Sequence, residues 1–242
     1  MPDLLPVSGL SECGVGKLTL GGEQSGPLVL NGPSESNSTR GPRIEVLANN
    51  AGGMYNSHEL TPDGFERTIQ TNYLAAVLLT RLLLPRLIES KGRVINTSSN
   101  AKVQGTIDRA DFNVEKPRFG AGLGAYGASK LEVNLFTTEL VKRSSVPAYS
   151  FHPGFVRTGL APDWWVLKVI KAVTGGRYGI GPGQGAKPLV RLASLARVPE
   201  PAGTYFEQEK PNGRQGKQAT DTQLSADLWE HTSTLVGLPA SL

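Results

Sequence analysis

Tyr126 and Lys130 stand four residues apart in Gly124-Ala-Tyr126-Gly-Ala-Ser129-Lys130. They head a segment in which Leu131, Val133, Leu135, Phe136 and Leu140 mostly recur at helical spacing. That spacing puts the phenol and the ammonium one turn apart on one helix face. A free tyrosine has a pKa of about 10, too high to exchange protons readily near neutrality. A cation beside it favours the phenolate and lowers that pKa, which makes the side chain a usable general acid or base. Tyr and Lys at i, i+4 also occur on ordinary solvated helices. The pair therefore gains chemical meaning only from what else reaches it.

The elements that must position it are legible as an alternation. Residues 44–48 form a short apolar run ending at Asn49-Asn50-Ala51-Gly52-Gly53, which reads as a buried strand entering a tight turn. Thr61 is placed to cap, and Pro62 to open, a long helix over 65–84 that ends at Pro85 or slightly beyond. Phe65, Ile69, Tyr73, Ala76, Leu79 and Leu83 mark one face of it. Val77, Leu78, Leu82 and Leu84 widen the stripe, which implies burial on more than one side, with a homodimer through this helix as one outcome. Residues 93–97 are the next strand, followed by Ser98-Ser99-Asn100 and a polar, glycine-bearing connection over 101–125 long enough to serve a site. After the Tyr126 helix comes a strand over 148–152 closed by Pro153-Gly154.

Residues 160–173, with Trp164 and Trp165, read as an amphipathic segment over a pocket, a plain surface helix or a membrane-surface segment. A helix over 183–196, a strand over 203–207 and a last helix capped by Asp221 complete the chain. Strand and helix alternate through 43–154, so the expected class is α/β, a doubly wound parallel sheet in one domain over 43–242.

Composition narrows the chemistry. At 242 residues the chain supports one sizeable core, and its net charge of +4 is spread over scattered Lys and Arg, which argues against nucleic acid as a partner. Cys13 is the sole cysteine, which excludes an intrachain disulfide and a multi-thiolate metal site and makes a reducing, cytoplasmic setting the default. His58, His152 and His231 lack metal-ligand spacing, so no metal is expected. No stretch approaches the roughly 20 apolar residues of a membrane span, and no basic-then-apolar secretory signal opens the chain. Residues 1–42 are nearly half Gly, Pro and Ser, contain no aromatic residue, and read as loop or disorder. Gly9, Gly14 and Gly16 would suit a pyrophosphate if a strand and a helix flanked them, but Leu18 excludes a Walker A loop.

In an open parallel sheet, ligands bind beyond the carboxyl ends of the strands. The turns at 49–53, 97–100 and 152–158 gather there with the start of the Tyr126 helix. Asn49-Asn50-Ala51-Gly52, Asn72, Ser99, Tyr126-x-x-x-Lys130 and Pro153-Gly154-x-x-x-Thr158 occur in that order. Through them residues 43–238 resemble a short-chain dehydrogenase/reductase with a Rossmann-like sheet. The long 99–126 connection and the Tyr-x-x-Ser-Lys ending resemble its retinol-dehydrogenase-like branch, which includes relatives of the WW-domain oxidoreductase.

The resemblance implies roles. Tyr126 would give or take the proton of the reacting oxygen, Lys130 would lower the tyrosine pKa and hold the nicotinamide ribose, and Ser99, with Ser98 as the alternative, would hydrogen-bond that oxygen. Asn72 would fix a water relaying protons to Lys130. Asn49, Ala51, Gly52, Tyr126 and Lys130 would line the cofactor, with Pro153, Gly154, Val156 and Thr158 closing round the nicotinamide amide. The implied cofactor is NADP or NAD, with NADP favoured, and the substrate a hydrophobic alcohol, aldehyde or ketone.

The pattern breaks in residues 1–42. One residue too many separates Gly9 from Gly14. From Gly16 to Asn49 the chain has room for only about one βαβ crossover. The first strands of the sheet are therefore expected to be incomplete, with an edge uncovered beside the 44–48 strand. Two function classes remain. One is an NAD(P)-dependent oxidoreductase, with the glycines at 9–16 serving as phosphate loop or with the true N-terminus lost. The other is a non-catalytic remnant acting through protein–protein contacts.

Overall fold

Successive side chains of a strand point to opposite faces, and here both faces are apolar. Val94 and Ala148 enter one core; Ile95, Tyr149 and Phe151 enter another. Such a sheet must be covered by helices on both sides. The computed structural model, which describes residues 43–116, 123–157, 172–174 and 179–242, has that arrangement. Strands β1 (Val46–Asn49), β2 (Arg93–Thr97), β3 (Ala148–His152) and β4 (Tyr205–Glu207) lie side by side and parallel. A short β5 (Lys210–Pro211) returns antiparallel to β4. Among the described residues β1 is one edge of the sheet. The α/β doubly wound sheet is thus observed, with strands β2 and β3 at the expected bounds.

Helices α1 (Arg67–Ile69), α2 (Ala75–Ser90), α3 (Leu123–Arg143) and α5 (Thr222–Leu235) contribute to one core, and α4 (Pro182–Ser194) to the other. Phe136 of α3 stacks on Trp229 of α5 at 5.8 Å between centroids and meets Tyr73 edge-on at 6.4 Å. Leu131, Leu135 and Leu140 are fully buried beside them; burial of each such side chain stabilises the fold by about 2 kcal/mol. Asp221 caps α5 through Leu224 N–H, as expected.

The long helix departs from expectation in four ways. Thr61 and Pro62 do not start it: Gly64 N–H donates to Thr61 O, closing a turn, and Glu66 caps α1 by accepting from Ile69 N–H at 2.8 Å. Pro85 does not end it, because Pro85 lies on the exposed face, where water can serve the carbonyl that proline leaves unbonded. A five-residue π-helical segment, Gln70–Leu74, rotates the remainder of the helix, so Val77, Leu84 and Leu87 are buried while Leu79 and Leu83 are only half-buried. Finally, the continuous helix Arg67–Ser90 is long and apolar enough by composition to cross a membrane, contrary to the expectation that no stretch would be. Its buried Asn72, Thr80 and Arg81 and its packing on the sheet mark a core helix. The glycines at 9, 14 and 16, Thr158, Trp164 and Trp165 lie outside the described residues.

Candidate active site

Two glycines bring the serine turn against the tyrosine helix. Beyond β2, Ser99 caps a 3-10 turn (Asn100–Val103) by accepting from Ala101 N–H at 3.2 Å. The chain then passes so close to α3 that a Cβ on Gly105 would lie 2.2 Å from Gly127 O, and one on Gly127 would lie 3.1 Å from Gly105 Cα. Gly105 leaves no room for a Cβ, and at Gly127 one would fit only if the neighbouring backbone gave by a few tenths of an ångström. This approach sets the segment carrying Ser99 beside the turn carrying Tyr126.

Asn72 joins the remaining pieces. Its place in the π segment turns its amide toward the loop after β1. There Gly53 N–H donates to Asn72 Oδ1 at 2.8 Å, while Asn72 Nδ2 donates to Gly53 O at 2.9 Å and to Ser129 Oγ at 3.0 Å. The amide thus clasps the Asn-Asn-Ala-Gly-Gly turn and ties it to α3. A Cβ on Gly52 would lie 2.8 Å from Asn72 Oδ1 and 3.3 Å from Lys130 Nζ, so a side chain here would have to displace the Asn72 amide. Ser129, nearly one turn after Tyr126, is a member of the constellation that the sequence marks only as part of the motif.

These parts surround a cavity of about 840 Å³. Ala51, Gly52, Ser99, Tyr126, Lys130, Pro153, Gly154 and Val156 line it, so most of the expected site residues share one space. Asn49 does not. Its amide points behind the wall, donating to Thr80 Oγ1 at 2.9 Å and Asn96 Oδ1 at 2.8 Å, and Asn50 is the asparagine on the cavity side. Alternation along an extended chain makes neighbours face opposite ways. Of the two serines, both line the cavity, but Ser98 donates its hydroxyl to Lys130 O at 3.0 Å. Met54, Asn100 and His152 also line the cavity and are not marked by the sequence motifs.

The electrostatics differ from the simplest expectation. Burial lifts the Tyr126 phenol above its ordinary pKa, and hydrogen bonding with Ser99 offsets only part of that. The expected lowering by Lys130 is not observed in this geometry. Lys130 Nζ lies 5.7 Å from the Tyr126 ring centroid and donates to Thr97 O at 3.0 Å. Burial also brings its own pKa down to about 8, because a desolvated ammonium favours losing its proton. The result is a buried phenol, a hydroxyl and an ammonium on one wall, with burial disfavouring the charged form of both phenol and amine.

The comparisons with known proteins bear on the same residues. The profile of the short chain dehydrogenase family matches residues 35–165. A Streptomyces sp. (strain C5) protein named as a candidate daunorubicin C-13 ketoreductase is 40% identical over 205 residues, covering 82% of this chain and 67% of that protein. Human retinol dehydrogenase 13 is 35% identical over 218 residues, with 82% of this chain and 62% of the relative covered. The chain thus spans about three fifths of the length of that dehydrogenase. Among solved structures, an uncharacterized protein from Mycobacterium paratuberculosis superposes with a TM-score of 0.60 at 33% identity, over 83% of this chain and 69% of its own. A short chain dehydrogenase/reductase from Saccharomyces cerevisiae shares the fold at a TM-score of 0.50 and 22% identity, over 74% and 69%.

Proposed function

The chain belongs to the short-chain dehydrogenase/reductase family, in its retinol-dehydrogenase-like branch, and from that premise we propose that it interconverts an alcohol and a carbonyl compound using NADP or NAD. The observation that carries the reading is the meeting of Ser99, Tyr126 and Lys130 on one wall of the cavity.

The residues present fit the nicotinamide half of such a cofactor. The wall at Gly52 is kept free of side chains beside Lys130 and Asn72, and Ala51, Pro153, Gly154 and Val156 complete a concave lining. Lys130 and Tyr126 would hold the ribose end. When bound, the nucleotide supplies or accepts the hydride. In the direction of reduction Tyr126 Oη donates a proton to the substrate oxygen while the Ser99 hydroxyl hydrogen-bonds that oxygen where charge develops. Lys130 Nζ, 5.7 Å from the Tyr126 ring centroid, does not lower the phenol's pKa in this geometry, so its part is to hold the ribose end, while Asn72 keeps α3 and the glycine turn in register. Met54, Leu123, Phe151, Phe155 and Leu189 make much of the remaining lining apolar, which supports a hydrophobic substrate. Exposed Leu82 and Ile88 on α2 support a homodimer through that helix, checked by light scattering of the purified protein.

Titration with NADPH and NADH, followed by reduction of a hydrophobic ketone, tests the reading. Dinucleotide binding with turnover that is lost in Tyr126→Phe supports it. No binding at millimolar concentration favours the non-catalytic alternative, and turnover that survives Tyr126→Phe refutes the role given to that residue.

A further inference from the structure

A second polar station faces the cavity on the other side of Ser99. Asn100 lines the cavity, and its amide is held at both ends: Nδ2 donates to Glu207 Oε1 at 2.9 Å, and Oδ1 accepts from Tyr205 OH at 2.9 Å. Behind it, fully buried Lys102 donates from Nζ to Arg214 O at 2.5 Å and Gln215 Oε1 at 3.2 Å, and sits 3.7 Å from the Tyr205 ring centroid. Burying a lysine to brace one turn is unfavourable in itself. It is understandable where the braced surface must hold its geometry against a ligand.

His152 completes this station. It ends β3, lines the cavity, and lies within the field of both Glu207 and Lys102. The other polar side chains here have partners: Thr97 donates to Asn50, Ser98 to the Lys130 carbonyl, and Asn100 is bound twice. Among the described residues the His152 imidazole has none, and its Nδ1 is enclosed without a hydrogen bond. That enclosed nitrogen is out of a ligand's reach, which leaves Nε2 as the ring nitrogen that a molecule in the cavity could meet. Burial also lowers its pKa, so the ring is neutral at pH 7 and offers one donor and one acceptor. The Glu207 carboxylate nearby disfavours an anionic group. Lys102, which could offset that, is committed to Arg214, Gln215 and Tyr205.

We infer that His152 is a specificity-determining residue, and that the cavity takes a substrate bearing a second, uncharged oxygen (a hydroxyl or a carbonyl) that hydrogen-bonds its imidazole. This rests on the oxidoreductase reading above. Asn100, Glu207, Tyr205 and Lys102 hold one another in place beside His152. A substrate then meets two polar points, the reacting oxygen at Ser99 and Tyr126 and the second oxygen at His152, across an apolar span.

The test compares matched ketones with the full chain and a saturating reduced nicotinamide nucleotide: octan-2-one, 5-hydroxyoctan-2-one, 7-hydroxyoctan-2-one, octane-2,5-dione and octane-2,7-dione. The readout is kcat/KM per carbonyl, as a ratio to octan-2-one within each protein. The wild type is expected to favour at least one spacing by about tenfold or more, because a site built to hydrogen-bond an oxygen discriminates against its absence. In His152→Leu that ratio falls to about one, and His152→Gln, which keeps a donor and an acceptor, recovers part of it. A flat panel in the wild type, with octan-2-one turned over in a Tyr126-dependent way, overturns this inference and leaves the oxidoreductase reading standing. A preference unchanged in His152→Leu also overturns it. No turnover of any ketone refutes both.

Discussion

Two polar regions of this molecule use similar residues to opposite ends. Beneath the sheet runs a closed seam: Asn49 donates to Thr80 and Asn96, Asn96 donates to Thr137, and Thr137 donates to Val133 O at 2.7 Å. Its side-chain hydrogen bonds are satisfied inside the protein. At the cavity wall Tyr126 and Lys130 are just as buried, yet their pKa values are displaced, and His152 is left with a ring nitrogen unbonded. Both regions carry the desolvation cost of buried polarity. The seam recovers it as structural specificity, whereas the wall leaves capacity for a molecule that is not part of the chain.

The sharpest way to break the contrast is Tyr126→Phe. Ketone reduction should fall by about 10²–10⁴-fold, while thermal stability stays close to wild type and dinucleotide affinity falls far less than turnover. The seam should respond in the opposite manner. Asn96→Ala removes one acceptor from the Asn49 amide and the amide donor to Thr137 Oγ1, and should cost about 1–3 kcal/mol in denaturant unfolding. Activity per folded molecule should stay close to wild type, and a large loss of it would show that the seam is part of the chemistry. Gly105→Ala probes the join between the regions. Its Cβ meets the Gly127 carbonyl, so the Ser99 turn must move from Tyr126, and kcat should drop by about ten- to a hundredfold.

The smallest effect is on stability at Lys130. Its pKa is lowered to about 8 in the folded chain, below the ordinary lysine value of about 10.4. Between those values the unfolded chain holds a proton that the folded chain has released, so stability rises with pH through that window. Below it the buried charge is a burden. Lys130→Met should therefore lose activity yet gain about 1–2 kcal/mol at pH 7. That advantage over wild type should shrink as pH rises above 8, which paired denaturation curves at pH 7 and pH 9.5 would show. A wild type more stable than Lys130→Met at pH 7 would place Lys130 with the seam.

Much of the architecture is legible in the sequence because the signals are local. The runs at 93–97 and 148–152 are too short and apolar to be anything but buried strands between turn residues, and Asp221 ahead of Leu224 and Leu228 is a cap that requires no distant partner. The long helix is harder. Its π segment leaves no mark in an apolar run this dense, so a face drawn at a strict 3.6-residue period drifts onto Leu79 and Leu83. Asn49 is misplaced by the motif for a related reason: adjacent asparagines look alike in sequence, and only the direction of the strand end decides which of them faces the cavity.

The sequence by itself determined the parts: a parallel α/β sheet, a Tyr-Lys pair one helical turn apart, and a serine and an Asn-Ala-Gly turn after strand ends. These arise from periodicity and from residue chemistry, which act over a few neighbours. Only the tertiary structure decided their relations. Gly105 meeting Gly127 sets Ser99 beside Tyr126, and Asn72 clasps Gly53 and Ser129 across long stretches of chain. Burial moves the phenol up and Lys130 down in pKa, because desolvation depends on everything packed around a group and not on its neighbours in sequence.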